Sequence, residues 1–106
     1  MILVNTQNIK NKKIVKSIGL VKGNTIRARN VGRDMVAVFK NMVGGEIEEY
    51  TKLLGEAREQ ALDRMAAQAE EMGANAVVNI RFSTSEIMSG AAEIMVYGTA
   101  VVVEDE

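Results

Sequence analysis

The chain contains no cysteine, no histidine, no proline and no tryptophan. Without cysteine there is no disulfide, no thiolate nucleophile and no cysteine metal site. The missing histidine removes more chemistry still. Histidine is the side chain that titrates near neutral pH, the commonest general base and the commonest transition-metal ligand. Together the two absences exclude Ser-His-Asp and Cys-His catalysis and ordinary zinc sites. Hard, oxygen-ligated ions and chemistry by Lys, Tyr or carboxylate groups stay open. Aromatic residues are scarce, two Tyr and two Phe, and no stacking platform accompanies the lysines, which argues against nucleic acid as a partner. No apolar run approaches the roughly 20 residues of a membrane-spanning helix. Met1-Ile2-Leu3-Val4-Asn5 is too short and lacks the basic leader of a signal peptide. The expectation is a cytoplasmic chain with no membrane partner.

What is present is one domain's worth of sequence, read as a single unit over residues 1–106, with 47% apolar and 25% charged residues in the ordinary globular range. The net charge is −1 but unevenly spread: residues 1–40 hold nine Lys/Arg against the single acid Asp34, and residues 41–106 hold four bases against thirteen acids. A basic face for nucleic acid is one reading. The simpler one is that opposite surfaces neutralise each other in a compact domain or a ring of subunits.

The hydrophobic period changes along the chain. Residues 13–21 read as a strand with Ile18 and Leu20 on one face and Val15 and Val21 on the other, and Gly23-Asn24 reads as the turn that ends it. From Gly32 the period becomes helical: Met35, Val36, Phe39, Met42 and Val43 form one stripe, interrupted by Gly44-Gly45. A longer helix follows, opened by Glu46, Glu48 and Glu49, whose charge suits the positive end of the helix dipole. Its apolar face runs through Ile47, Tyr50, Leu54, Ala57, Ala61, Met65, Ala69 and Met72, and Gly73 is placed to terminate it. After Gly73 the period is two, with Ala76, Val78, Ile80 and Phe82 on one face and Val77, Asn79, Arg81 and Ser83 on the other. The Ser-, Thr- and Gly-rich residues 83–91 read as a loop, and a last strand spans about 92–103.

The order β-α(α)-β-β predicts an α+β fold of two layers. A long kinked helix packs on a three-stranded antiparallel sheet in the order 1-3-2. The last strand is apolar on both faces. Once the helix covers one, Met95, Tyr97, Val101 and Val103, with Val77, need a second cover. Ile2, Leu3 and Val4 folding back would supply one. A partner copy, with edge strands paired across subunits, is the reading favoured here.

A family likeness adds to this. Gly44-Gly45-Glu46, Tyr50, Leu54, Ala57-Arg58, Ala61, Met65, Ala69 and Gly73-Ala74-Asn75-Ala76-Val77-Val78 resemble the YbjQ-like family of small microbial proteins. So do Asn30-Val31-Gly32-Arg33-Asp34 and Tyr97-Gly98-Thr99-Ala100-Val101, so that the resemblance covers nearly the whole chain. It implies a dodecin-like β-α-β-β subunit assembled as a homopentamer, with short extra strands joining neighbours. The family carries a heavy-metal-binding label and no established activity.

Candidate sites follow from residue type and position. Arg27, Arg29 and Arg33 flank Asn30-Val31-Gly32 at a helix start, where N–H groups and the dipole favour an anion. Gly44-Gly45-Glu46 with Glu49 and Tyr50 offers a ligand cradle, or simply a joint between helices. Asn30, Arg33, Gly44, Gly45, Glu46 and Tyr50 are therefore the candidate ligand-binding residues. Glu46, Tyr50 and Arg33 are also the groups that an enzyme at a subunit interface would use. Glu56, Glu59, Asp63 and Glu70 align on one side of the long helix, as a weak hard-cation stripe or a solvated acidic face. Any metal must use oxygen or methionine sulfur, and Glu86 and Glu93, gathered as several copies around a ring axis, are the candidates. No cofactor motif is present. The function expected is that of a non-catalytic homo-oligomer holding a small ligand or ion between subunits.

Overall fold

The computed structural model describes residues 1–28, 45–88 and 91–106. Strand β1 spans Ile2–Leu3, β2 Lys12–Ala28, helix α1 Gly45–Glu71, β3 Ala76–Met88 and β4 Ala91–Asp105. The predicted stripe from Met35 to Val43, and its joint at Gly44, lie outside the described residues.

Helix α1 forms because small residues recur every fourth position on one face. Ala57, Ala61, Met65 and Ala69 are all fully buried, and Leu54 and Leu62 flank them half-buried. Alanines here let the helix axis lie close to the strands while costing little side-chain entropy. The helix stops where the sequence predicts. Gly73 takes φ +89°, its N–H donates to Glu70 O at 3.0 Å, and the Ala74 N–H donates to Ala69 O at 3.0 Å. This is the paired bonding of a Schellman cap, which favours glycine in the left-handed position. Met72 falls outside the buried stripe, 41% exposed, because it sits at the cap where the helix turns off the sheet.

The sheet differs from the expectation in strand count and in order. It has four strands in the order β1-β3-β4-β2 and is mixed rather than antiparallel. Two apolar residues make the difference: Ile2 and Leu3 pair in parallel with Ala76 and Val77, and the Val4 N–H donates to Val77 O at 3.0 Å. The last strand, β4, lies between β2 and β3.

Three local readings are also corrected. Gly23-Asn24 is no turn; β2 runs on to Ala28, with Gly23 opposite Val96 and directly beneath α1. Residues 83–88 are strand, not loop, since Ser83, Thr84, Ser85 and Glu86 pair with Met95, Ile94, Glu93 and Ala92. Their short polar side chains stand on a surface wet on both sides, and backbone pairing to β4 supplies the order that no apolar face does. Finally, the alternation of faces breaks where the register shifts, at Ile14/Lys16 and Ser17/Gly19 in β2 and at Val78/Arg81 and Glu86/Met88 in β3. Ile18 of β2 is skipped in the pairing with β4, so Ile18 turns to the helix side with Val21 while Leu20 points away. In β3 the register jumps from Val78 to Arg81, with Asn79 at φ 56°. Val77 and Ile80 therefore face the helix, and Ala76 and Val78 face the other way.

Two cores result. Val21, Val77, Ile80, Ile94, Val96 and Ala100 meet α1. Ala76, Val78, Val101 and Val103 meet Ile2, Val4 and Ile9 on the opposite face. Complete burial of a side chain such as Val21, Val77, Ile94 or Met65 stabilises the fold by about 1.5–3 kcal/mol each. The subunit is nevertheless long, with extents of 54 × 23 × 16 Å and a radius of gyration of 17.2 Å. A compact domain of this length has a radius near 13 Å. Among the described residues no helix is long and apolar enough to cross a membrane.

Candidate functional site

The feature most in need of a partner is the sheet face turned away from α1. Pairing of β4 with β2 places Leu20 beside Thr99, Lys22 beside Tyr97 and Ile26 beside Glu93, all on this face. Its lower half is closed by the chain itself: Val101 and Val103 are buried under Ile2, Val4 and Ile9. The expectation that both valines await an external cover is thus corrected, and Val77 lies on the helix side, fully buried. The upper half stays open. Leu20 is 67% exposed, Ile26 60% and Tyr97 36%. Asn24 Nδ2 donates to Glu93 Oε2 at 3.0 Å across this open half, fixing the Glu93 carboxylate on the face.

This face is flanked by strand edges that have no further strand beside them among the described residues, the β2 edge being met at Lys22 and Asn24 by Gln68 and Arg64 of α1. Strand β2 is the sheet's outer strand over its 17 residues. On the other side β1 pairs with only Ala76 and Val77, and Thr6 O accepts from the Asn79 N–H at 2.9 Å. From Arg81 to Met88 the edge of β3 has no neighbour among the described residues. Exposed edges of this length template pairing with another chain.

On the helix side, polar contacts seat α1 on β2. Thr25 Oγ1, buried, donates to Ala57 O at 3.1 Å, the Lys22 N–H donates to Gln68 Oε1 at 2.9 Å, and Arg64 Nη1 donates to Asn24 O. Arg27 Nη2 donates to Gln60 Oε1 at 2.8 Å. Arg27 lines a groove of about 650 Å³ that also holds Lys52, Glu56, Glu59 and Asp63. Three acids of the predicted stripe thus share one groove with two cations, and Glu70 lies outside it.

The remaining predicted residues scatter. Asn30, Arg33 and Gly44 lie outside the described residues, and so do the side chains of Glu46 and Tyr50; Gly45 begins α1. Glu86 pairs with Ala92 and Glu93 with Ser85, so the two glutamates stand on opposite faces of the sheet and do not form one site within a chain. The open half-face at Tyr97 is part of the face that the two-sided apolar last strand predicts to need a cover. The register shift at Asn79 is not legible, because Asn79 looks like any polar position of an alternating strand.

Metal was tested against the donors available. The chain has neither cysteine nor histidine, and among the described residues no three Asp or Glu come together at metal-binding distance. Of the methionines, Met65 is fully buried in the core under α1. This donor set does not fit a thiophilic ion such as Zn²⁺ or Cd²⁺.

Comparison with known proteins gives a consistent kinship. Residues 1–104 match the family model YbjQ_1, described as "Putative heavy-metal-binding". A UPF0145 protein of Dehalococcoides mccartyi strain 195 is 58% identical over 104 residues, covering 98% of this chain and 100% of that one. A UPF0145 protein of Clostridioides difficile strain 630 is 53% identical over 106 residues, covering 100% of this chain and 95% of its own length. One from Archaeoglobus fulgidus is 52% identical over 101 residues, covering 95% and 94%. Among solved structures, a protein of unknown function of the DUF74 family from Pediococcus pentosaceus shares the fold, with TM-score 0.67 over 98% of both chains at 9% identity. The α+β fold and the match along almost its entire length agree: this chain belongs to the YbjQ family, whose members include the UPF0145 proteins.

Proposed function

We propose that the chain is the subunit of a closed homo-oligomeric ring that acts by binding rather than by catalysis, with small ligands or hard cations held where subunits meet. The observation that carries this reading is the half-covered sheet face. Leu20, Ile26 and Tyr97 stand exposed beside the sheet's outer strand, while lower down the same face buries Val101 and Val103 under the N-terminal segment. Among the described residues nothing covers them, and soluble monomers rarely leave such patches open.

The two outer edges differ, β2 on one side of the sheet and β3 beyond Arg81 on the other, so that β2 of one copy can meet β3 of the next, head to tail. Head-to-tail contacts close into rings when the rotation allows. Five copies is the size that the family resemblance implies. A rod 54 Å long with a 16 Å waist suits such packing better than it suits life alone. Sedimentation velocity at micromolar concentration tests the proposal. The expected species is a five-fold multiple of the 11.5 kDa chain, and a stable monomer at that concentration rejects it.

A further inference from the structure

Where β1 ends and the bulge at Asn79 redirects β3, a cleft of about 690 Å³ opens between the N-terminal segment, α1 and β3. Its walls are apolar: Leu3 and Val4 from the N-terminal segment, Leu62 from α1, and Ile80 and Phe82 from β3. Phe82 is 47% exposed and Leu3 37%, so these walls meet water in the isolated subunit. The volume is within the usual range for small-molecule sites, which pair apolar walls with a few placed polar groups.

Among the described residues the one charged group in the lining is Arg81, and no described carboxylate lines the cleft with it. Among the described residues the single ion pair is Lys12–Asp105, far along the chain from Arg81. The guanidinium is not loose. Its Nη1 donates to Asn5 O at 2.8 Å and to Ile80 O at 2.9 Å, both backbone carbonyls. Nη1 carries two hydrogens, so these bonds use that nitrogen fully. The Nε–Nη2 edge makes no bond among the described residues. That edge presents two parallel N–H groups, the fork that accepts a carboxylate side-on with two bonds. A guanidinium already held by two carbonyls loses less freedom on binding than a free one.

We propose that this cleft binds a small amphipathic carboxylate, with its apolar body against Leu62, Ile80 and Phe82 and its carboxylate on the Nε–Nη2 edge of Arg81. The site is built within one chain and does not rest on the ring. The bulge is what makes it: with Asn79 in the left-handed conformation, Ile80 and Phe82 turn to the helix side, and Arg81, rooted on the other face beside Tyr97, reaches the N-terminal segment at the strand edge through its bond to Asn5 O.

The test is a calorimetric titration of the whole protein, as purified, with octanoate as probe and octanol, octylammonium, acetate and inorganic phosphate as comparisons. Octanoate binds at submillimolar concentration, at least about tenfold more tightly than any of the others. Arg81→Gln weakens octanoate about tenfold or more and leaves octanol unchanged, whereas Arg81→Lys, which keeps the charge without the fork, loses an intermediate amount. Phe82→Ser weakens octanoate and leaves acetate unaffected. Both side chains are exposed, so the variants fold, and a thermal melt verifies it. The proposal is overturned by no saturable octanoate binding at millimolar concentration, by equal binding of octanoate and octanol, by equal binding of octanoate and phosphate, or by unchanged affinity in the folded Arg81→Gln protein.

Discussion

Gly23 of β2 passes directly beneath Ala61 of α1: a Cβ at position 23 would lie 2.1 Å from the Ala61 carbonyl oxygen and 2.7 Å from the Met65 backbone nitrogen. Both neighbours are helix backbone and cannot step aside like the tip of a side chain. Gly23→Ala must therefore lift the helix off the strand. The expected loss is about 1–3 kcal/mol or more, the range for overpacking a tight contact. Urea unfolding of the two proteins reads it directly. A loss below about 0.5 kcal/mol would mean that helix and strand are further apart than described.

The same glycine shows where reading from sequence stops. A glycine followed by asparagine between polar residues is the mark of a turn, and a glycine required by a neighbouring helix looks identical in one sequence. Only the partner, Ala61, distinguishes them. The helix was legible because the recurrence from Ala57 to Ala69 spans a little over three turns, and Gly73 because a helix end fixes what must stand there. Strand β1 was not legible as sheet, since two residues, Ile2 and Leu3, are too few to show a period. Ser83 to Glu86 carry turn-type residues, yet pairing with β4 holds them in a strand. Of the candidate site residues, Asn30, Arg33 and Gly44 lie outside the described residues, and Glu86 and Glu93 stand on opposite faces, which leaves a ring of copies of either one as it was.

The bulge at Asn79 makes a second expectation. Asn79 has φ 56° and its N–H donates to Thr6 O, so its backbone both shifts the register and ties the N-terminal segment down. Asparagine tolerates this conformation; a β-branched residue does not. Asn79→Val costs about 1–2 kcal/mol and Asn79→Gly is close to neutral. Amide hydrogen exchange at position 79, whose N–H donates to Thr6 O, follows the same order. Equal stability of the Val and Gly variants would show that the left-handed turn is not required.

Charge placed on the far sheet face separates the two halves of that face. Val101 is buried under the N-terminal segment, so Val101→Asp strands an unpaired charge in the chain's own core and unfolds it at a cost of several kcal/mol. Leu20 and Ile26 are mostly exposed in the single subunit, so Leu20→Asp or Ile26→Asp leaves the fold intact and breaks assembly instead. Circular dichroism paired with sedimentation distinguishes these outcomes. An assembled, folded Ile26→Asp protein places the interface elsewhere.

The strand ends carry a modest acid sensitivity. Lys12 Nζ is hydrogen-bonded to Asp105 Oδ1 where β2 and β4 meet, and this bond, then the ammonium charge, holds the Asp105 carboxyl below the ordinary aspartate range. A carboxyl depressed in the folded state contributes stability above its unfolded pKa and loses it as pH falls through the folded value. Both groups face solvent, so the effect is small and screened by salt. Carbon-detected titration of Asp105 should give a midpoint below that of an unpaired aspartate, and Lys12→Met should raise it. Identical midpoints would show that the pair is not formed in solution.

The last expectation sets this chain against its family's description. Tight, structural binding of Zn²⁺ or Cd²⁺ relies on thiolate and imidazole ligands, and the chain has neither cysteine nor histidine anywhere in its 106 residues. Oxygen donors alone favour Ca²⁺, Mg²⁺ or Mn²⁺, and thioethers favour Cu(I). The carboxylates offer little within one subunit: Glu86 and Glu93 face opposite ways, and Glu56, Glu59 and Asp63 share their groove with Arg27 and Lys52. Those two cations raise the cost of adding a third positive charge. In the proposed ring, copies of one glutamate would come together around an axis, so the measurement must use the protein as purified, without dissociating it. Calorimetric titration of chelator-treated protein with Zn²⁺ and Cd²⁺ is expected to show nothing tighter than about micromolar, because the ligands behind the usual nanomolar sites are missing. Mn²⁺ and Cu(I), titrated alongside under anaerobic conditions for the latter, show whether oxygen or sulfur donors gather at all. A stoichiometric nanomolar Zn²⁺ or Cd²⁺ site would reverse the reasoning. It would require carboxylates from several subunits to do what cysteine and histidine do elsewhere, and substituting Glu86 and Glu93 in turn would show which ring of them is responsible.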